Sequence, residues 1–242
     1  MTNLSRVDVI RLLAFFMLLV LPAVSEAQKL PPIAEQMAKT YGLDSFGQVE
    51  GIRYTFNLEL PGLTRSDTWE WNPKTDTVSF EGKDKESKPI KVTYRRSELS
   101  SQSDTIKNVV DPAFVNDQYW LLFPLHVAWD GASVTDEGMH EMPLGKTPAE
   151  KIVVKYGSSG YTPGDTWDLY VGADKRVEEM FYHRGGPTKP SAVIATWAGN
   201  KKVGQLLIST EHKGTADGKP LHLSFTDVSV KVTGSENWIN AQ

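Results

Sequence analysis

Five histidines, several carboxylates beside aromatic rings and no cysteine make up the reactive inventory of this 242-residue chain. Without cysteine there can be no disulfide, no thiolate nucleophile and no sulfur-ligated metal. None of His126, His140, His183, His212 and His222 has a second histidine three to five residues away, the spacing that sets two imidazoles on one helix face or turn. A metal site would need strand pairing to gather His183, His212 and His222, and none is expected. The Gly-x-Ser-x-Gly elbow of serine hydrolases is absent. Gly157-Ser158-Ser159-Gly160 is one residue short of it and reads as a turn. No glycine-rich phosphate loop opens a helix, so nucleotide use is not expected, nor is any other cofactor.

Carboxylates offer one catalytic alternative. Asp130, Asp165 and Asp168 flank aromatic residues, as paired acids do beside sugar-stacking rings. Asp130 and Asp165 together with His126 would outline an envelope hydrolase for a sugar or an ester. Yet Pro163-Gly164-Asp165 is a turn in its own right, in which the aspartate accepts backbone N–H bonds. Arg184-Gly185-Gly186-Pro187 reads as a hairpin end whose arginine pairs with one of these acids. His126, inside an apolar run, reads as an interior histidine bonded to a backbone carbonyl. No residue is assigned a catalytic role.

The stronger lead is aromatic. Trp69, Trp71, Tyr119, Trp120, Phe123, His126, Trp129, Tyr161, Trp167 and Tyr170 are the expected ligand-contacting set. Large rings wall wide cavities, although each also buries about 150–250 Å² in an ordinary core. A third outcome is therefore a structural or interaction module with a solid core and no ligand.

What must position these rings is legible from periodicity. The run from Asn116 to Asp130 is the densest apolar stretch outside the N-terminus. Asp111-Pro112 reads as a cap and first-turn proline, and Pro124 as the end of the helical geometry. The expectation is a helix over Pro112–Leu122 followed by an irregular apolar segment to Asp130. Upstream, Ile33, Met37 and Tyr41 mark an amphipathic helix stopped by Gly42. Ile52, Tyr54, Phe56, Leu58 and Leu60 alternate with polar residues, as do the segments around Trp69–Trp71, Val78–Phe80 and Ile90–Tyr94. Ile152–Tyr156, Thr166–Val171, Val177–Tyr182, Ser191–Trp197 and Val203–Thr210 continue the pattern, with a turn expected at Gly199-Asn200. In the last long strand Leu221, Leu223 and Phe225 have one parity and Val228, Val230 and Val232 the other. A bulge near Thr226-Asp227 reconciles them. Together these predict a mainly β protein: one strongly curved antiparallel sheet of about ten strands, an unclosed barrel, with the N-terminal and central helices on its concave face.

Arg6 and Arg11, an apolar run from Leu12 to Val24 and small residues at Ser25 and Ala27 predict a signal peptide over 1–27 and a single domain over 28–242. The run is short for a bilayer span, so no stable membrane span is expected after cleavage. A net charge of −4 without a basic stripe argues against nucleic acid as a partner. Oligomeric state is not readable from these features.

Tyr119-Trp120-Leu121-Leu122-Phe123-Pro124 with Trp129-Asp130, then Gly160-Tyr161-Thr162-Pro163-Gly164-Asp165-Thr166-Trp167-Asp168-Leu169-Tyr170, resemble a group of uncharacterised secreted bacterial proteins. Those are similar in plan to the LolA/LolB lipoprotein-localisation fold. The resemblance runs over most of Gly47 to Val232, including Phe225-Thr226-Asp227-Val228. It implies a hydrophobic cavity in an open barrel plugged by helices, and no catalytic residue. The function it leads one to expect is an exported, periplasmic or secreted, binding or carrier protein for a lipid, an acyl chain or another apolar small molecule, with the plug shifting to admit it.

Overall fold

The computed structural model describes residues 29–84, 86–185 and 191–242. The expected leader lies outside them, as do Gly186 and Pro187 of the expected hairpin end. Helix α1 (Pro32–Thr40) buries Ile33, Ala34, Met37 and Ala38. It stops at Gly42, whose φ of +102° is costly for any side chain but hydrogen. Four strands follow as a meander: β1 (Val49–Leu60), β2 (Leu63–Asn72), β3 (Thr77–Lys83) and β4 (Pro89–Arg95). Short 3-10 and π turns then lead into α2 (Asp111–Trp129), and the chain returns to strands with β5 (Ser133–Glu141), β6 (Pro148–Lys155), β7 (Thr166–Val171) and β8 (Val177–His183). The last five are β9 (Ala192–Thr196), β10 (Ala198–Val203), β11 (Leu206–Ala216), β12 (Lys219–Val232) and β13 (Ile239–Asn240).

All thirteen strands of the described residues join one antiparallel sheet in the order β4-β3-β2-β1-β12-β11-β9-β8-β7-β6-β5, with β10 on β11 and β13 on β12. Strands sit about 4.8 Å apart, so a flat sheet of this order would hold β4 and β5 roughly 45 Å or more from each other. A 19-residue helix spans only about 28 Å. Yet α2 bonds Tyr94 of β4 near its start and Tyr156, just past β6, at its end. The sheet is therefore curled around the helix and left unclosed between β4 and β5. One apolar cluster contains residues of both edge strands and both helices, from Tyr94 to Val134.

Several expectations are corrected. Helix α2 does not end before Pro124; it continues to Trp129, and the missing N–H is absorbed by a kink at Leu122 (φ −122°, ψ 15°). Asp111 is not a cap, since Val110 before it is already helical. The described residues form thirteen strands rather than about ten. Strand β5 escaped notice because it is a polar edge, exposed along nearly all its length. Gly199-Asn200 lies within strand β10, and the reversal comes at Gly204, with φ +61°. The bulge in β12 is where parity placed it: Arg53 faces Ser229 and Thr55 faces Thr226, leaving one extra residue at Asp227 with φ +54°.

Candidate functional site

Between α2 and strands β7 to β9 lies a cleft of about 520 Å³, within the range of small-molecule sites. Helix α2 contributes Pro112, Val115, Asn116, Tyr119 and Trp120, which recur at helical spacing on one side. The β6–β7 loop adds Tyr161, Thr162, Pro163 and Asp165. Trp167 of β7, Tyr182 of β8 and Val193 of β9 form the sheet wall, with Arg184, Gly185 and Ser191 at its rim.

The walls are held by ring contacts. Trp120 meets Trp167 edge-on at 5.8 Å and lies parallel to Trp197 at 6.1 Å. Trp167 stacks on Phe123 at 4.0 Å and packs against Tyr182 at 4.6 Å. Aromatic pairs in this range add about 0.5–1.5 kcal/mol beyond area burial, which stabilises the wall. Behind it, His212 is fully buried; burial lowers its pKa to about 3 against the carbonyls of Thr196 and Ser209, and the imidazole is neutral.

Of the expected ligand set, Tyr119, Trp120, Tyr161 and Trp167 line this cleft together. Phe123 is wholly buried behind Trp167. Trp69 and Trp71 stand on the β1–β4 side of α2, where both pack on Phe114. Trp129 sits at the exposed end of α2 against Phe46 at 4.5 Å. Tyr170 has the opposite parity to Trp167 and Leu169, and packs with Met142 and Ala149 in a separate small cluster. The successive side chains of a strand point to opposite faces, and a ring's presence in β7 does not put it in the cleft.

Val115, Tyr182, Arg184 and Val193 were missed from the sequence. Helix α2 is apolar nearly all round, so no face of it announces a pocket. The one usable signal was that Val115 and Tyr119 share a face, one turn apart.

The carboxylates divide into two arrangements. His126 Nδ1 lies 2.9 Å from Asp130 and its Nε2 lies 3.0 Å from Gln118, while its ring stacks on Tyr119 at 4.0 Å. The expected backbone carbonyl is not its partner. Asp130 also accepts from the hydroxyls of Tyr119 at 2.6 Å and Tyr156 at 2.8 Å. Burial raises its pKa, but the His126 and tyrosine bonds outweigh it and hold the carboxyl below its usual range. Asp165 is engaged elsewhere: it accepts from Tyr182 at 2.7 Å and from the backbone N–H of Gly185 at 2.8 Å. Burial first, then the bond to Asp165, pushes the Tyr182 phenol up to about 12. Gly185 is required here, because a Cβ would stand 1.9 Å from the Gly164 carbonyl oxygen. Thus Asp165 accepts a backbone N–H, but from Gly185 beyond β8 rather than within its own turn, and its bonds do not join it to His126 and Asp130. Arg184 forms no ion pair among the described residues, contrary to the pairing expected.

The other histidines do not assemble. His183 lies 3.9 Å from Asp168 and His222 bonds Glu211 at 2.9 Å, while His212 is sealed in the core. No group of three or more histidine and acidic side chains is placed to hold a metal among the described residues. No helix of the described residues is long and apolar enough to cross a membrane.

No protein-family model matches the chain, and no curated protein matches it. Among solved structures it is similar to a DUF1329 family protein from Desulfovibrio piger, at 10% identity and a TM-score of 0.45 over 84% of this chain and 94% of that one. It is also similar to the Mycobacterium tuberculosis lipoprotein LppX, at 8% identity and 0.30 over 81% and 94%. A third is the Pseudomonas aeruginosa MucA/MucB complex, at 10% and 0.23 over 84% and 95%. At those scores the likeness bears on neither ligand nor partner.

Proposed function

We propose that this is an exported binding or carrier protein whose apolar ligand, a lipid or acyl chain, lies in the cleft between α2 and β7–β9. The observation that carries this reading is the cleft itself, an aromatic-walled space of about 520 Å³ opening beside a helix fixed in place. The element order shared with the LolA/LolB plan agrees with it. Export rests on the leader-like N-terminus. The helix need not withdraw for entry, because the cleft opens at its side. A hydrolase built on His126, Asp130 and Asp165 is less well supported, since Asp165 is bonded to Tyr182 and Gly185 instead.

Native mass spectrometry of the protein purified from an envelope extract tests the reading, together with titration by the neutral apolar dye N-phenyl-1-naphthylamine. A bound lipid mass, or saturable dye binding that Val193→Trp abolishes by filling the cleft, is the expected result. A strictly ligand-free species that ignores the dye would overturn it.

A further inference from the structure

Two charged side chains line the cleft, and they are not equivalent. Asp165 is 4% exposed, and its two oxygens are taken up by Gly185 N–H and the Tyr182 hydroxyl. Arg184 is exposed at the rim, where it lies against the Tyr182 hydroxyl. The other arginines of the described residues all hold carboxylates: Arg53 pairs with Glu70, Arg65 with Asp67 and Asp117, Arg95 with Glu98, Arg96 with Asp111 and Arg176 with Asp174. Arg184 alone among them holds none. A guanidinium presents five donors in a planar fork that matches a carboxylate or a phosphate. The same cleft is lined by apolar Val193, Trp167, Trp120 and Val115, the last three of them buried where Arg184 is exposed. One open cation at the rim of an apolar slot is the complement of an amphiphile.

We infer that the ligand is an amphiphile with a negatively charged head, carboxylate or phosphate, held by Arg184 while its tail lies between Trp120 and Val193. This rests on the cleft being an apolar binding site and adds the headgroup chemistry to it. An anion at the rim is partly screened by water and salt, so its contribution falls with ionic strength, whereas tail burial does not.

Displacement of N-phenyl-1-naphthylamine from the purified protein by dodecanoate, dodecyl phosphate and dodecanol tests the inference. The two anions are expected to displace the dye at concentrations at least tenfold lower than dodecanol. In Arg184→Gln that preference disappears with dodecanol unchanged, and Arg184→Lys restores part of it. The tighter of the two anions indicates whether a fatty acid or a phosphate-headed lipid is the better match. Equal displacement by all three probes, or a preference that survives in Arg184→Gln, overturns the headgroup assignment while leaving the apolar site intact. Failure of the dye and all three probes to bind overturns both.

Discussion

The indole N–H of Trp69 donates to the carboxylate of Asp117 at 2.9 Å, where neither residue meets solvent. Arg65 reaches the same carboxyl at 2.5 Å and also grips Asp67, so strand β2 holds α2 through a side chain sealed from solvent. Two further aspartates of this region do the same elsewhere. Asp111 accepts from Tyr94, Arg96 and Tyr161, and Asp130 from Tyr119 and Tyr156. A helix that is apolar all round has no preferred rotation from burial alone. These three carboxylates supply one, because a turn of a single position, about 100°, would unseat all of them. The orientation that presents Val115, Tyr119 and Trp120 to the cleft is thereby fixed.

Asp117 should make stability fall as pH rises from about 4 toward neutrality. Burial, opposed by Arg65 and reinforced by the charge of Asp67, raises its pKa to about 7. Between about pH 4 and 7 the folded protein keeps a proton that the unfolded chain has lost, so this site contributes less stability as pH increases across that window. The change is on the order of a few kcal/mol. Asn keeps an acceptor for Trp69 but does not titrate. Urea midpoints measured from about pH 5 to 7 should decline in the wild type more steeply than in Asp117→Asn; parallel curves would contradict the shift.

Asp111 should behave in the opposite sense. Burial pushes its carboxyl up, but bonds from Arg96, Tyr161 and Tyr94 outweigh that and hold it below the usual range. Its contribution is present above the unfolded pKa and is lost as pH falls through the lower folded value. Asp111→Ala leaves three donors without their acceptor and should cost about 3–5 kcal/mol in urea unfolding at pH 7. Tyr161→Phe removes one donor from a half-exposed ring and should cost about 1 kcal/mol or less.

Strand content was legible wherever one face is buried and the other wet. Ile52, Tyr54 and Phe56 show the period of two that the core requires, and the parity change around Asp227 revealed a bulge. What could not be read follows from the same physics. Strand β5 buries little more than Val134, so it carries no alternation. The continuation of α2 past Pro124 depends on packing that outweighs the local cost of proline, which neighbouring residues do not encode. Tyr119, Trp120, Tyr161 and Trp167 of the cleft were named because aromatic residues draw attention. Val115, Tyr182, Arg184 and Val193 join them only through pairing of β8 with β7 and β9 and the curl that brings α2 over them. That Asp111 and Asp117 serve as anchors was invisible, because Tyr94, Arg96, Tyr161, Arg65 and Trp69 lie in other segments of the chain, as does Tyr156 for Asp130.

Tyr119 separates anchoring from ligand contact. Its ring lines the cleft, while its hydroxyl bonds Asp130. Tyr119→Phe keeps the ring, and Asp130 retains His126 and Tyr156. Stability should drop by about 1 kcal/mol with dye affinity unchanged. Tyr119→Ala should lower both. Loss of dye binding in the phenylalanine variant, with folding intact by circular dichroism, would instead assign the hydroxyl a place in ligand recognition.

The bulge at Asp227 lets one strand bury apolar side chains on both of its parities. Leu221, Leu223 and Phe225 are inward before it, and Val228 and Val230 after it. Asp227 sits at φ +54°, a conformation open to glycine and tolerated by aspartate but costly for a β-branched side chain. Asp227→Gly should therefore stay within about 1 kcal/mol of wild type, losing only a 3.3 Å bond from Thr55, whereas Asp227→Val should cost about 1–2 kcal/mol or more. Deleting Asp227 removes the extra residue and forces one of the two apolar sets to the outer face. Each large apolar side chain so displaced forfeits roughly 1.5–3 kcal/mol, which together approaches the whole stability of a domain. The deletion should yield no cooperative urea transition; a folded deletion variant would show that the register of β12 on β1 is not set by this residue.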